Sequence, residues 1–414
     1  MNESLIQKTL RVLGNRRMAA TLLFGFSSGI PLGLTGGTLQ AWMTQEKVNL
    51  ATIGIFSLVG LPYALKFLWS PLMDAYLPPF LGRRRGWILV SQVLLILSIA
   101  LMAVTSPVLQ PVQMATIAFL VAFFSASQDI VVDAYRTDVL LPEEYGLGSA
   151  AYIMGYRIAM LVSGALALIL ADQMSWKSVY FLMALTMLVG VIATLFLAPE
   201  PEMGISRPKS LGEAVYLPLV DFFKRKGSME VLSFIVLYKL DVVMALALTT
   251  AFMLQIGFTK TDIGAVNKGV GLVATIVGTL SGGAIMTKLG MKRSLWSFGI
   301  LQGLGNLTFV ALAHVGYNYP LMVTAVATEN LLSGMGTAAY SAFLMTLCNK
   351  KFSATQYALL TSLMALTRVF AGAPSGFLAE KLGWQSYFLF SMSLMLPGLL
   401  LLTRFDRWKT SQAE

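Results

Sequence analysis

The residues SASQDIVVDAYRTD (125–138) begin inside an apolar segment that runs from about Gln113 and is long enough to cross a bilayer. Gln128, Asp129 and Asp133 stand in it where lipid-facing chemistry calls for leucine. A carboxylate in mid-membrane costs about 2.5–3.5 kcal/mol even on mild insertion scales, so an intramembrane acid marks a functional site whose partners lie on other helices. The stretch therefore predicts a membrane-embedded helical bundle around a polar interior.

Composition agrees. Of 414 residues, 56% are hydrophobic and 12% charged, against about 25% charged in a globular domain, and mean hydropathy is +0.72. The single cysteine, Cys348, cannot close a disulfide within the chain or assemble a metal site, so no metal or redox cofactor is expected. The N-terminal cations Lys8, Arg11, Arg16 and Arg17 precede an apolar run too long for a signal peptide, which reads as a retained first helix. A net charge of +10 would suggest nucleic acid in a soluble protein; here its meaning lies in how the cations divide between loops.

Apolar segments of spanning length can be placed at 18–40, 50–73, 87–105, 112–133, 147–171, 177–198, 230–256, 262–286, 294–314, 319–346, 355–379 and 385–404. Twelve spans put both termini on one side. Loops and tails on that side hold 21 Lys and Arg, those on the other hold four, and five lie within spans. The positive-inside rule then makes both termini cytoplasmic.

An internal repeat runs through the chain. Ala41, Met43, Gln45, Ile53 and Gly54 recur 210 residues on as Ala251, Met253, Gln255, Ile263 and Gly264, and Trp176 and Ser178 recur as Trp384 and Ser386. Two six-helix halves related by a parallel repeat are the organisation of the major facilitator fold, with the solute site near mid-membrane between them. The expected division is an N-terminal half (1–198), a cytoplasmic linker (199–229) containing a short interfacial helix, a C-terminal half (230–404) and a cytoplasmic tail (405–414).

The loop SPLMDAYLPPFLGRRRGW (70–87) and its repeat GGAIMTKLGMKRSLW (282–296) resemble the major facilitator loop signature, with Thr287 where the acid belongs in the second copy. Asp74 beside Arg83, Arg84 and Arg85 predicts charge-assisted pairs that latch one conformation, with Asp133, Arg136 and Asp138 at the same mouth as further gate residues. The competing reading gives the arginines only topology and anionic lipid heads. In span 1, Gly25, Gly29, Gly33 and Gly37 share one face, which admits a neighbouring helix or a bulky solute, and Pro31 predicts a kink.

The intramembrane polar set is Lys66, Gln128, Asp129, Arg157, Lys239, Asp241, Asn267, Lys268, Glu329, Asn330 and Arg368. Each alone reads equally as part of a structural ion pair. Together, five cations against three embedded acids suit a wet cavity that receives an anionic solute. Trp42, Tyr63, Trp69, Tyr152, Tyr156 and Tyr340 offer faces for a sugar, or anchor helix ends at the interface. Proton coupling needs an acid whose affinity for protons rises on burial and falls when solute or a cation arrives; Asp129 and Glu329 are the candidates. His314, the only histidine, lies at the outer end of span 9 and reads as an interfacial residue.

FGFSSGIPLGLTGGTLQAWMT, KFLWSPLMD with GRRRGW, SASQDIVVDAYRTD, LYKL, VNKGVGL, ENLLSGMGT and MTLCNKKFSATQYALL resemble the AmpG-type muropeptide permeases over nearly the whole chain. The resemblance implies a proton-motive-force-driven importer of anhydromuropeptides in the bacterial inner membrane, serving peptidoglycan recycling and the induction of chromosomal β-lactamase. It implies functional roles for Gly29, Lys66, Gln128, Asp129, Asp133, Lys239, Lys268, Glu329, Asn330 and Arg368. With Trp42, Tyr156, Arg157 and Asn267, its non-acidic members, Gly29, Lys66, Gln128, Lys239, Lys268, Asn330 and Arg368, are expected to contact solute. Longer members continue past the twelve-span core, which does not depend on that extension. The family string KLGD after the span-7 lysine is KLD here, which turns Asp241 about 100° around a helix.

The alternative carrier reading is another bulky anion such as an acyl-coenzyme A, because fold analogy permits many solutes. An enzyme is not expected: no nucleophile–base pair is recognisable, and the single His and Cys lie on different helices.

Overall fold

A computed structural model describes residues 14–48, 56–201, 210–372 and 374–410. The chain is helical throughout these residues, as a backbone in hydrocarbon must satisfy its own polar groups. Spans 1 and 3 to 7 are Arg16–Gln45, Arg83–Val104, Pro111–Val139, Tyr145–Ala171, Trp176–Leu197 and Ser228–Gln255. Spans 8 and 9 form one run, Asp262–Val315, interrupted at Gly290, where φ is +74°. Span 10 is Tyr319–Leu347. Span 11 starts at Ser353, and Gly383, with φ +72°, separates it from span 12. Glycine takes such angles without a Cβ penalty, which lets two helices turn within one residue.

Span 2 departs from a plain helix. It is pieced together from Phe56–Gly60, Leu61–Leu65, Lys66–Leu68 and Ser70–Ala75. Pro62 and Pro71 remove backbone donors there, which breaks the ladder. Its expected first residues, 50–55, lie outside the described residues. The span-1 kink expected at Pro31 falls instead at Gly36 (φ −96°, ψ −113°), inside a π turn, Leu34–Thr38.

The repeat appears as structure. Trp176 Nε1 donates to Gln45 Oε1 at 2.9 Å, and Trp384 Nε1 donates to Gln255 Oε1 at 2.9 Å. The rings of Trp42, Trp176 and Tyr180 pack together in one half, and those of Phe252, Trp384 and Phe388 in the other. Both Trp–Gln bonds tie the far end of the first helix of a half to the start of its sixth.

The halves meet at the face that carries Arg83–Arg85. A Cβ on Gly283 of span 8 would lie 2.7 Å from the Gly146 carbonyl oxygen of span 5, so the two backbones nearly touch. Toward the opposite face, a Cβ on Gly36, Gly37, Gly164, Gly264 or Gly269 would meet no atom within 4 Å. The halves are packed together at the arginine face, and a cavity lies between them further in. Between residues 201 and 228, a helix Leu211–Phe223 buries Ala214, Pro218 and Phe222. Gln356 at the start of span 11 donates to its Pro218 carbonyl at 3.1 Å.

Candidate functional site

Three layers of polar groups run from the arginine face inward. In the first, Arg84 is 1% exposed. Its Nε donates to Asp138 Oδ2 at 2.7 Å, and its Nη2 to Asp74 Oδ1 at 2.9 Å and Ser353 Oγ at 2.6 Å. Ser353 donates onward to Asp138 Oδ1 at 2.7 Å. Asp74 Oδ2 accepts from both the backbone N–H and the hydroxyl of Thr355 at 2.8 Å. Ser353 and Thr355 form the first turn of span 11, whose free N–H groups and positive dipole end favour an anion. Arg83 reaches the carbonyls of Lys350 and Lys351 at 3.2 and 3.3 Å. The N-terminal half thus grips the start of a C-terminal helix. Arg85 does not join this grip: it binds the carbonyls of Thr194 and Leu195 and pairs with Glu200 at 3.8 Å within its own half. Glu200, beyond the end of span 6, is held above the usual carboxylate range by burial in spite of Arg85.

In the second layer, Lys66 Nζ lies 3.6 Å from Asp133 Oδ2. Asp133 also pairs with Arg136 one turn on. Arg136 is 2% exposed; its guanidinium stands 3.9 Å over the Tyr152 ring and donates to the Tyr357 hydroxyl of span 11 at 3.4 Å. Tyr357 in turn contacts Ser341 of span 10 at 3.1 Å. This chain also crosses from one half to the other.

The third layer is a cavity of about 390 Å³ between the halves. Gly33, Gly37, Thr38 and Arg157 line it from the N-terminal half, and Asn267, Lys268, Thr275 and Asn330 from the C-terminal half. Asn330 is braced by a 3.0 Å bond from Thr275 and its own 2.8 Å bond to the Val326 carbonyl. Arg157, Asn267 and Lys268 are exposed into this space. Asp129 lies half-buried between the second and third layers, near Ser28, Lys66, Asp133 and Arg136, with Oδ1 lacking a hydrogen-bond partner among the described residues.

Four residues expected at the solute are held inside a half instead. Gln128 is fully buried, and its amide donates to Ser27 and Ser28 at 3.2 Å, tying span 4 to span 1. Trp42 stacks on Trp176 at 5.7 Å. Gly29 faces span 5: a Cβ there would sit 2.6 Å from the Tyr156 carbonyl. Lys239 is buried among spans 7, 9 and 10, donating to Gln302 Oε1 at 2.6 Å, Thr337 Oγ1 at 3.0 Å and the Ser333 carbonyl at 3.3 Å. Tyr156 is half-buried, 6.2 Å from the Tyr152 ring. The Arg368 side chain lies outside the described residues. Glu329, 1% exposed, is buried in the same half as Lys239.

Sequence reading missed Ser353, Thr355, Tyr357 and Gln302. Their signals were present: Ser353 and Thr355 open a span directly after Lys350 and Lys351, and Gln302 is a polar residue inside span 9.

Two helical halves that close over a polar cavity define a solute carrier of the major facilitator type. The Major Facilitator Superfamily model matches residues 19–373. The anhydromuropeptide permease of Escherichia coli (strain K12) is 52% identical over 95% of this chain and 80% of its own length. A putative transporter, AmpG 4, of Rickettsia felis is 33% identical over 96% of this chain and 98% of its own. Among solved structures, the proton:xylose symporter XylE matches with a TM-score of 0.70 at 11% identity, covering 97% of this chain and 95% of that one. The human organic anion transporter MFSD10 matches at 0.68 and 16%, covering 95% and 99%. The chain belongs to the AmpG-type muropeptide permeases of the Major Facilitator Superfamily. It is a carrier and not an enzyme.

Proposed function

We propose that this protein imports anhydromuropeptides across the bacterial inner membrane by alternating access, driven by the proton motive force. The observation that carries the reading is the cavity to which each half contributes a cation, Arg157 and Lys268, flanked by the amides of Asn267 and Asn330. A disaccharide peptide bears several carboxylates and many hydroxyls. Guanidinium and ammonium groups bind the former through charge-assisted hydrogen bonds, and amides bind the latter. The named activity of the Escherichia coli relative supports the choice of solute.

The excess of Lys and Arg in the loops on the arginine face supports a cytoplasmic position for that face and both termini. The molecule is then latched toward the cytoplasm, the state in which an importer awaits its solute. Asp129 carries a coupling proton between the cavity and Lys66, which here leans on Asp133 at 3.6 Å. Arrival of an anionic solute beside Arg157 and Lys268 draws the halves together, and the latch on span 11 must then open. Uptake of labelled anhydromuropeptide into vesicles with an imposed proton gradient tests the reading. Absence of uptake sinks it, and uptake of a labelled coenzyme A thioester in its place moves the assignment to another bulky anion.

A further inference from the structure

The C-terminal half holds charged groups that the cavity does not use. Lys239, Asp241 and Glu329 are buried within it, at 8%, 1% and 1% exposure. They act on one another electrostatically, across spans 7 and 10. The Lys239 ammonium spends its three protons on neutral oxygens of Gln302, Thr337 and Ser333. One cation with two carboxylates leaves one uncompensated negative charge in a dry interior, where an unpaired ion costs several kcal/mol. A single bound proton balances the set.

The surroundings of the two acids decide which one holds it. Span 7 breaks at Lys239 (φ −108°, ψ 5°), and a new helix, Leu240–Ala247, starts there with Asp241 in its first turn. The Asp241 carboxylate lies against the backbone N–H groups of Asp241 and Val242, at the helix end where the dipole favours an anion. Glu329 has no such support: neither of its oxygens has a hydrogen-bond partner among the described residues, and although Asp241 Oδ1 also lacks one, only Asp241 stands at a helix start. Glu329 faces Gly305 of span 9, where a Cβ would stand 3.5 Å from Oε2. The other titratable group nearby is Tyr238, beside Asp241, whose hydroxyl donates to the Leu295 carbonyl at 2.9 Å.

We infer that Asp241 is the fixed counter-charge of Lys239, and that Glu329 is thereby kept as a neutral acid holding one exchangeable proton. Asp241 is a positioning residue: it occupies Lys239 so that Glu329 need not ionise. The inference rests on the proposed proton coupling for its transport meaning, but the protonation state can be read without any solute.

The test uses the purified full chain in lipid and compares the infrared band of protonated carboxyl groups between variants. Glu329→Gln is expected to lose a band that the unsubstituted protein has. Asp241→Asn is expected to lose the same band although Glu329 is intact, because Glu329 then ionises to balance Lys239. The double variant Lys239→Met/Asp241→Asn is expected to regain it. A band unchanged in Glu329→Gln, or retained in Asp241→Asn, overturns the assignment; if Asp241→Asn does not fold, the Glu329→Gln spectrum decides alone. In vesicles under an imposed proton gradient, accumulation of labelled anhydromuropeptide should fall to simple equilibration in both single variants and rise again in the double one. Should the unsubstituted protein carry no anhydromuropeptide while the bands behave as described, the solute reading fails and the proton assignment stands.

Discussion

Five intramembrane cations look alike in the sequence, and the surroundings of the four whose side chains are described separate them. Lys66 leans on Asp133 at 3.6 Å, Lys239 is saturated by neutral oxygens, and Arg157 and Lys268 line the cavity. A hydrogen bond to a charged group is worth about 1.5–3 kcal/mol. Arg157→Ala and Lys268→Ala are therefore each expected to weaken solute binding roughly 10- to 100-fold, measured as the concentration of unlabelled anhydromuropeptide that halves labelled uptake. A Lys239→Ala variant should instead lose folded protein, since its loss strands Gln302 and leaves the buried Asp241 without its counter-charge. At Asp129 the expectation differs in kind: Asp129→Asn preserves shape and removes the titratable proton, so gradient-driven accumulation is lost while the purified protein stays monodisperse. Normal concentrative uptake by that variant would remove Asp129 from the coupling. The polar inventory was legible in the sequence, but which side of its helix each member presents was not. Gln128 and Asp129 are adjacent, yet one is sealed against Ser27 and Ser28 and the other is half-buried toward Lys66.

Among the elements, span 1 shows how far a periodic pattern can be read. Gly25, Gly29, Gly33 and Gly37 lie on one face, and either a helix or a solute can use a face without side chains. Both do. A Cβ on Gly25 or Gly33 would lie 2.1 Å from Tyr152 O or Ser163 Oγ of span 5, whereas one on Gly37 would meet nothing within 4 Å. Overpacking of such a contact costs about 1–3 kcal/mol, so Gly25→Ala should lower the thermal midpoint of the purified protein and Gly37→Ala should leave it unchanged. Equal shifts for the two would contradict the division of the stripe between packing and cavity. Span 2 was the least legible element, because Pro62 and Pro71 break it into pieces that no single period describes. The repeat was the most legible: Gln45 with Trp176 and Gln255 with Trp384 recur in the sequence because the same 2.9 Å bond closes each half.

For the whole molecule, the duplication is broken at the arginine face. The first half brings Asp74, Asp138 and Arg84 to the start of span 11, while its repeat carries Thr287 in place of the acid, and spans 5 and 8 meet there through the backbones of Gly146 and Gly283. One crossing is electrostatic and the other steric, and opening this face breaks both. Removing one member of a buried ion pair costs about 3–5 kcal/mol when the rest stays buried. A state in which water reaches Asp74 and Asp138 escapes that cost. Arg84→Ala should therefore shift the population toward a molecule open at the arginine face, since only the closed form buries the two acids left behind. Ala150 reports on that seam, its Cβ lying 3.2 Å from the Cβ position of Gly283. With Cys348→Ser as background, the single thiol of an Ala150→Cys variant is fully covered in the closed form. Its rate of maleimide labelling should rise at least ten-fold when Arg84→Ala is added, the shift that about 1.4 kcal/mol produces. An Arg85→Ala control, which cuts only contacts inside the N-terminal half, should leave the rate unchanged. If both substitutions accelerate labelling alike, the seam is loosened by general destabilisation, and the latch does not reside in Arg84 and its two acids.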